Sequence, residues 1–170
     1  MAANRGAKKP EGPAHREAAE PPPGQPDGTC PIVGIGASAG GLAAFEAFFS
    51  GMPANDPGMA FVLVQHLSPD HKSILADLVR RYTRMQVFEV TQGMAVKPNC
   101  TYIIPPNRNM ALVNGTLQLL EPDTPHSQRM AIDYFFRSLA EDQHERAICI
   151  VLSGTGSDGT LAGVYCRRPQ

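Results

Sequence analysis

Residues 31–41 read PIVGIGASAGG, an apolar run that passes directly into a cluster of small residues. Residues 31–36 are apolar without alternation, which is typical of a strand buried on both faces of a parallel sheet. Apolar residues then recur at the spacing of one helix face, at Leu42, Ala43, Phe45 and Phe49. The stretch therefore predicts a strand, a tight turn and a helix, the opening unit of an α/β fold.

Two more continuous apolar runs predict buried strands further along the chain. They are residues 59–65, MAFVLVQ, and residues 147–152, AICIVL. Shorter apolar stretches at 86–90 and 101–104 predict two short strands between them. Repeated buried strands of this kind indicate a mostly parallel sheet.

Helical patterns separate these strands. After the second apolar run, a helix is expected from about Ser73, with an apolar face formed by Ile74, Leu75, Leu78 and Val79. Before the third run, a second amphipathic helix carries Ile132, Phe135, Phe136 and Leu139. A last helix is expected to begin near Asp158 or Thr160. The alternation of strands and helices favours a doubly wound α/β fold.

The middle of the chain carries a hairpin signal. Residues 110–113 and 117–120 are apolar and flank Asn114-Gly115, a favoured two-residue turn between antiparallel strands. We therefore predict a doubly wound α/β fold with a mostly parallel sheet, flanking helices and an inserted antiparallel hairpin.

Residues 1–29 differ in composition from the rest. They are rich in proline and contain no Ile, Leu, Val or Phe, so they cannot bury enough apolar surface to offset the entropy of ordering. We predict a disordered tail over 1–29 and one domain over 30–170.

Charge and hydropathy exclude several classes of protein. The formal net charge is −1 at pH 7, so the chain lacks the basic footprint of nucleic-acid-binding proteins. No run approaches the ~20 apolar residues of a membrane helix, which argues against membrane insertion. The first ten residues, MAANRGAKKP, lack the apolar core of a secretory signal. A cytoplasmic location is expected.

The four cysteines give no metal-binding pattern. Cys30, Cys100, Cys149 and Cys166 are far apart in sequence, and none belongs to a C-x-x-C pair. We expect reduced thiols and no zinc site.

A polar residue follows each of the three longest apolar runs. These residues are Ser38, His66 and Asp158. In open α/β sheets, sites form outside the carboxyl ends of the strands. A serine, an imidazole and a carboxylate that converge there are the complement of an acyl-transfer triad. Ser38, His66 and Asp158 are therefore the candidate catalytic residues.

Ser38 lies in residues 36–40, GASAG, which match the G-x-S-x-G pattern of a nucleophile elbow. The alternative is a purely structural role, in which Ser38 caps the following helix. A second alternative is a dinucleotide-binding fingerprint over 34–39, which requires an acidic residue ~20 positions further on. Asp56 has about that offset but precedes the second apolar run, so this alternative is weaker.

His66 and Asp158 also have structural alternatives. His66 could be a buried structural histidine, and His71 is a second candidate for the base. Asp158 could be an ordinary helix N-cap. Its loop is rich in glycine, and the backbone N–H of Thr155 is our candidate oxyanion donor. No histidine follows Asp158, so the Ser-acid-His order of α/β-hydrolases is excluded for this carboxylate.

Four sequence blocks resemble those of CheB-type protein-glutamate methylesterases. They are GIGASAGG at 34–41, VQHLSP at 64–69, YIIPP at 102–106 and LSGTGSDG at 152–159. The resemblance implies a doubly wound α/β domain that hydrolyses methyl esters of glutamate side chains on the cytoplasmic helices of chemotaxis receptors. It also implies deamidation of receptor glutamines, no metal or organic cofactor, and a triad at Ser38, His66 and Asp158.

The sequence departs from the family in three places. Residues 1–29 are too short for a receiver domain, and the chain instead resembles the esterase part of fused methylesterase–methyltransferase proteins. A methyltransferase domain or protein is therefore an expected partner. Family members often carry Met where Thr155 stands. The resemblance fades after about residue 163, which suggests a domain incomplete at its C-terminus. The alternative function is a non-catalytic remnant that acts as a binding or regulatory module.

Overall fold

The computed structural model describes residues 30–38, 40–52, 57–65, 74–122, 130–153 and 157–165. The tail predicted over 1–29 lies outside the described residues, as does the predicted helix start at Ser73. Towards the C-terminus, the structure describes the chain as far as Tyr165.

A five-stranded parallel sheet forms the centre of the fold. Its strands are β1 (Ile32–Ala37), β2 (Ala60–Gln65), β3 (Gln86–Glu89), β5 (Cys100–Ile103) and β8 (Ala147–Ser153). They lie in the order β3-β5-β2-β1-β8, and every pairing among them is parallel. The prediction of a mostly parallel sheet is confirmed.

Helices cover both faces of this sheet. The helices are α1 (Gly41–Ser50), α2 (Ile74–Tyr82), α3 (Ala131–Gln143) and the short α4 (Ala162–Tyr165). Alternate residues of β2 enter different cores: Val62 and Val64 pack on the side of α3, whereas Phe61 and Leu63 pack on the side of α1 and α2. The doubly wound arrangement follows from this burial of both strand faces, and the predicted fold class is confirmed.

A separate antiparallel sheet is formed by chain segments on both sides of β5, between β3 and α3. It consists of β4 (Met94–Ala95), β6 (Asn109–Val113) and β7 (Thr116–Leu120), in the order β4-β7-β6. Asn114 and Gly115 join β6 to β7 with φ angles of 50° and 70°, the left-handed pair that a type I′ turn requires. The predicted hairpin is confirmed, and the two-residue β4 was not predicted.

Helix α3 packs unusually close to β1. A Cβ atom at Gly36 would lie 2.4 Å from Ile132 Cγ2, and one at Gly34 would lie 2.9 Å from Leu139 Cδ2. All four apolar residues predicted for α3 are buried. The absence of side chains at two positions of β1 therefore sets the distance between the helix and the sheet.

Three predictions of burial are wrong. Ile148 and Val151 of β8 are 39% and 43% exposed, because among the described strands β8 pairs only with β1 and forms the sheet edge. Ile74 is 60% exposed at the first turn of α2, where Ala76 is buried instead. Leu42 is 39% exposed, since α1 turns Phe45 and Phe49 inward.

The thiol prediction holds for two described cysteines. Cys30 and Cys100 are free, and burial raises the pKa of both thiols. Cys149 is disulfide-bonded, so the expectation of a reduced thiol is wrong there. The expectation used separation along the sequence, which does not report separation in space. Among the described helices, none has the length and apolar character needed to cross a membrane.

We expect Gly36→Ala to lower the free energy of unfolding by about 1–3 kcal/mol, because the added methyl group would collide with Ile132 in a close-packed core. Denaturant unfolding measures this change. Gly163→Ala is the matched control, since a Cβ atom there has no neighbour within 4 Å. Equal stability of the two variants would contradict the close packing of α3 on β1.

Candidate active site

Three neighbouring strands end at the same edge of the sheet. Ala37, the last residue of β1, is in register with Gln65 of β2 and with Ser153 of β8. We call these three strand ends the carboxyl edge. Parallel sheets of this type carry their sites here, so the carboxyl edge is where polar side chains can converge.

Ser38 lies directly beyond the middle strand of the carboxyl edge. Its backbone N–H donates to the carbonyl oxygen of Ser153 at 2.9 Å, which ties it to the end of β8. Ser38 is half-buried. Its hydroxyl makes no hydrogen bond with any residue in the described part of the chain. The hydroxyl is therefore at the carboxyl edge and uncommitted to a structural bond there.

The turn after Ser38 explains the glycines of the motif. Gly40 has a φ of 81°, a left-handed conformation that a residue without Cβ adopts at low cost, and Gly41 N–H donates to Ser38 O at 3.0 Å. A Cβ atom at Gly41 would lie 2.7 Å from Gln65 Nε2. Gly40 is the N-cap of α1 and no side chain caps this helix, so the alternative role of Ser38 as a cap is wrong.

Asp158 binds the N-terminus of α3 with both carboxylate oxygens. Oδ2 accepts from Ile132 N–H at 3.0 Å and Oδ1 accepts from Asp133 N–H at 2.9 Å. Asp158 therefore does cap a helix, but the helix is α3 rather than the one that follows it. Met130, the local N-cap of α3, makes no side-chain capping bond, so Asp158 supplies these acceptors from a distant part of the sequence.

This position leaves the Asp158 carboxylate able to do more than cap. A carboxylate has about four lone-pair sites, so it can accept from more groups than two backbone donors. The N-terminus of a helix also carries partial positive charge, which favours a negative side chain there. Asp158 is thus held firmly at the N-terminus of α3 by two backbone donors.

Asp133 is a buried acidic residue that the sequence reasoning missed. It is 5% exposed, its Oδ1 accepts from Leu161 N–H at 3.1 Å, and its Oδ2 has no hydrogen-bond partner over the described ranges. Burial raises the pKa of its carboxyl and the charge of Asp158 adds to this, while backbone N–H groups of Gly159 and Leu161 oppose it. The sequence feature that could have revealed Asp133 is an acid between Ile132 and Phe136, on the buried face of an amphipathic helix.

Two more buried polar atoms flank Ser38. They are Gln65 Oε1 at the end of β2 and Ser153 Oγ at the end of β8, and neither has a hydrogen-bond partner within the part of the chain that the structure describes. Buried polar atoms without partners are uncommon and often occur at functional sites. Their position on both sides of Ser38 favours the carboxyl edge as the functional site.

The remaining predicted site residues lie outside the described residues. His66 follows Gln65 directly in the chain, and Thr155 follows Ser153 by two positions. His71, the second candidate for the base, also lies outside. Over the described ranges, no group of three His, Cys, Asp or Glu residues could hold a metal ion.

Comparison with known proteins matches the domain to one family. The family model for the CheB methylesterase matches residues 33–166. The protein-glutamate methylesterase/protein-glutamine glutaminase of Bacillus subtilis is 32% identical over 133 residues, covering 76% of this chain and 37% of that protein. The corresponding protein of Desulfotalea psychrophila is 34% identical over 139 residues, covering 78% and 38%. The chain thus spans less than two-fifths of these curated relatives.

A solved structure gives the same match. The crystal structure of the Thermotoga maritima CheB methylesterase catalytic domain superimposes with a TM-score of 0.72 at 30% sequence identity. The similarity covers 81% of this chain and 75% of that domain. The likeness therefore extends over most of both chains.

We expect Asp158→Ala to lower the free energy of unfolding by about 1–2 kcal/mol, because the N–H groups of Ile132 and Asp133 in the first turn of α3 would lose their acceptor. Thermal or denaturant unfolding measures the loss. Asp77→Ala is the matched control, since among the described residues Asp77 forms only an exposed ion pair with Arg80 and such pairs contribute little. If Asp158→Ala is no less stable than Asp77→Ala, the capping role of Asp158 is wrong.

Proposed function

Because the chain belongs to the CheB methylesterase family, we propose that it hydrolyses methyl esters of glutamate side chains on the cytoplasmic helices of chemotaxis receptors. The names of its relatives also include protein-glutamine glutaminase, so the proposal extends to deamidation of receptor glutamines. The proposed catalytic residues are Ser38, His66 and Asp158.

One observation carries this proposal more than any other. Ser38 and the strand that leads to Asp158 are joined at the carboxyl edge by the bond from Ser38 N–H to Ser153 O. His66 is the residue that follows Gln65, which is in register with Ala37 beside Ser38. All three candidate residues thus follow strands that lie next to one another, which supports the convergence that a Ser-His-Asp triad requires.

The proposed reaction begins with Ser38. His66 takes the proton of the Ser38 hydroxyl as its oxygen attacks the ester carbonyl, and then gives the proton to the departing methanol. Water, activated by the same imidazole, hydrolyses the acyl-enzyme and releases the glutamate carboxylate. On a glutamine side chain the same steps release ammonia.

Asp158 has the role of orienting the base. In this proposal it accepts from one ring N–H of His66 and stabilises the imidazolium that forms in each half-reaction. The N–H groups of Ile132 and Asp133 support the role, because they fix the carboxylate against a rigid helix. An orienting group must itself be held in place to fix the tautomer and direction of the imidazole.

The oxyanion of the tetrahedral intermediate needs donors at the carboxyl edge. Our candidate is the backbone N–H of Thr155, in the glycine-rich segment of the sequence between Ser153 and Asp158. A backbone donor does not depend on the side chain, so Thr in place of the family's Met is compatible with this role. We also propose a methyltransferase domain or protein as a partner that supplies the methyl esters.

We expect Ser38→Ala to abolish methanol release from a methylated receptor fragment, because loss of the nucleophile in a serine triad lowers kcat by about 10⁶. The assay is methanol release over time, with ammonia release from an unmethylated glutamine-bearing fragment alongside. Ser50→Ala is the control, since Ser50 is exposed at the end of α1 and bonds only Ala47 O.

Methanol release by Ser38→Ala at the wild-type rate would contradict the assignment of the nucleophile. A folded wild-type protein that releases no methanol and does not react with a fluorophosphonate would favour the alternative of a non-catalytic binding module. A thermal shift with NAD would favour nucleotide binding. The end of β2 argues against this alternative, because Gln65 stands there rather than the acidic residue that a dinucleotide site needs.

A further inference from the structure

The N-terminus of α3 and the turn at residues 157–161 hold each other by reciprocal hydrogen bonds. The carboxylate of Asp158, in the turn, accepts from Ile132 N–H and Asp133 N–H of the helix. The carboxylate of Asp133, in the helix, accepts from Leu161 N–H of the turn at 3.1 Å. Each segment therefore supplies an acidic side chain to the backbone of the other.

The turn is also packed on both sides. Gly159 has a φ of 87°, and a Cβ atom there would lie 3.0 Å from Val151 Cγ2 of β8 and 3.2 Å from Ile132 Cγ2 of α3. Thr160 closes the turn on itself by bonds to Ser157 O from its N–H and its hydroxyl. Little freedom is left in the turn while Asp133 holds its far end.

The Asp133 side chain is costly for a purely structural clamp. The residue is 5% exposed and its Oδ2 has no hydrogen-bond partner among the described residues, although an unpaired buried oxygen of this kind disfavours folding. Burial and the nearby Asp158 charge both raise the pKa of this carboxyl, which is a second sign of an unfavourable environment. An acid kept under these conditions beside a candidate catalytic carboxylate points to a role at the site.

We propose that Asp133 is a positioning residue, whose bond to the 157–161 turn fixes the orientation of the Asp158 carboxylate for the proposed triad. This inference rests on the proposed function. Asp133 does not touch the substrate or the reacting atoms. It acts through Asp158, and a small displacement of an orienting group is enough to lower the rate of a triad.

The test compares Asp133→Ala with Asp133→Asn in methanol release. We expect Asp133→Ala to lower kcat about 10- to 100-fold with KM unchanged, because the substrate still binds while Asp158 is displaced. Asp133→Asn retains an oxygen that accepts from Leu161 N–H, so its kcat is expected to return to within about threefold of wild type. A KM change with kcat unchanged would overturn the proposal.

Asp142→Ala is the matched control on the same helix. Asp142 accepts from the N–H groups of Asn114 and Gly115, so it too clamps α3 to a turn, but it lies at the other end of the helix from Asp158. Its loss is expected to lower stability and leave kcat unchanged. An equal fall in kcat for Asp142→Ala and Asp133→Ala would overturn the proposal, because the effect would then be one of general stability.

Hydrogen exchange gives a readout that does not need activity. Ile132 N–H lies in the first turn of α3, where the helix itself offers no acceptor, so Asp158 is its partner. Asp133→Ala is expected to speed exchange at Ile132 tenfold or more, although Asp133 does not bond that group. Unchanged exchange at Ile132 would overturn the proposal.

The two readouts separate the inference from the proposed function. If wild type shows no Ser38-dependent methanol release, the proposed function fails, and exchange at Ile132 still decides whether Asp133 positions Asp158. If Asp133→Ala does not fold, Asp133→Glu replaces it, because its extra methylene displaces the acceptor from Leu161 N–H. The same loss of kcat and of Ile132 protection is then expected, and wild-type values of both would overturn the proposal.

Discussion

The close approach of α3 to β1 is the constraint on which the site depends. Because Gly36 has no side chain, Ile132 occupies the space that a Cβ atom at position 36 would need. Ile132 also donates its backbone N–H to Asp158. The residue that packs the helix against the sheet therefore also binds the candidate catalytic carboxylate. The depth of the helix on the sheet and the position of Asp158 at the carboxyl edge are thus two results of one contact.

The parts of the fold that could be predicted are those governed by local pattern. Continuous apolar runs predicted β1 and β2 because both faces of those strands are buried, and Asn114-Gly115 predicted its hairpin because left-handed backbone is required at both positions. The burial of β8 was predicted wrongly from the same apolar pattern. A run of apolar residues does not tell whether a strand lies in the middle of a sheet or at its edge, since that depends on which other strands pair with it.

The site was predictable to the extent that its residues follow strands. Ser38 was identified from the strand before it and the glycines around it, and the structure explains those glycines by the left-handed Gly40 and by two close packing contacts. The helix that Asp158 caps could not be predicted, because Asp158 and α3 are distant in sequence. Asp133 escaped notice because an acid within an amphipathic helix is ordinarily assigned to the exposed face.

The pairing of β1 with β8 has a consequence for the order of synthesis. Ser38 is made well before its partner Ser153 and the turn that carries Asp158, so the bond from Ser38 N–H to Ser153 O closes a very long loop. Contacts of such long range form slowly and late in folding. A ribosome that has released β1, α1 and β2 has thus presented the serine without the acid. The carboxyl edge on which both lie is completed only when β8 joins the sheet.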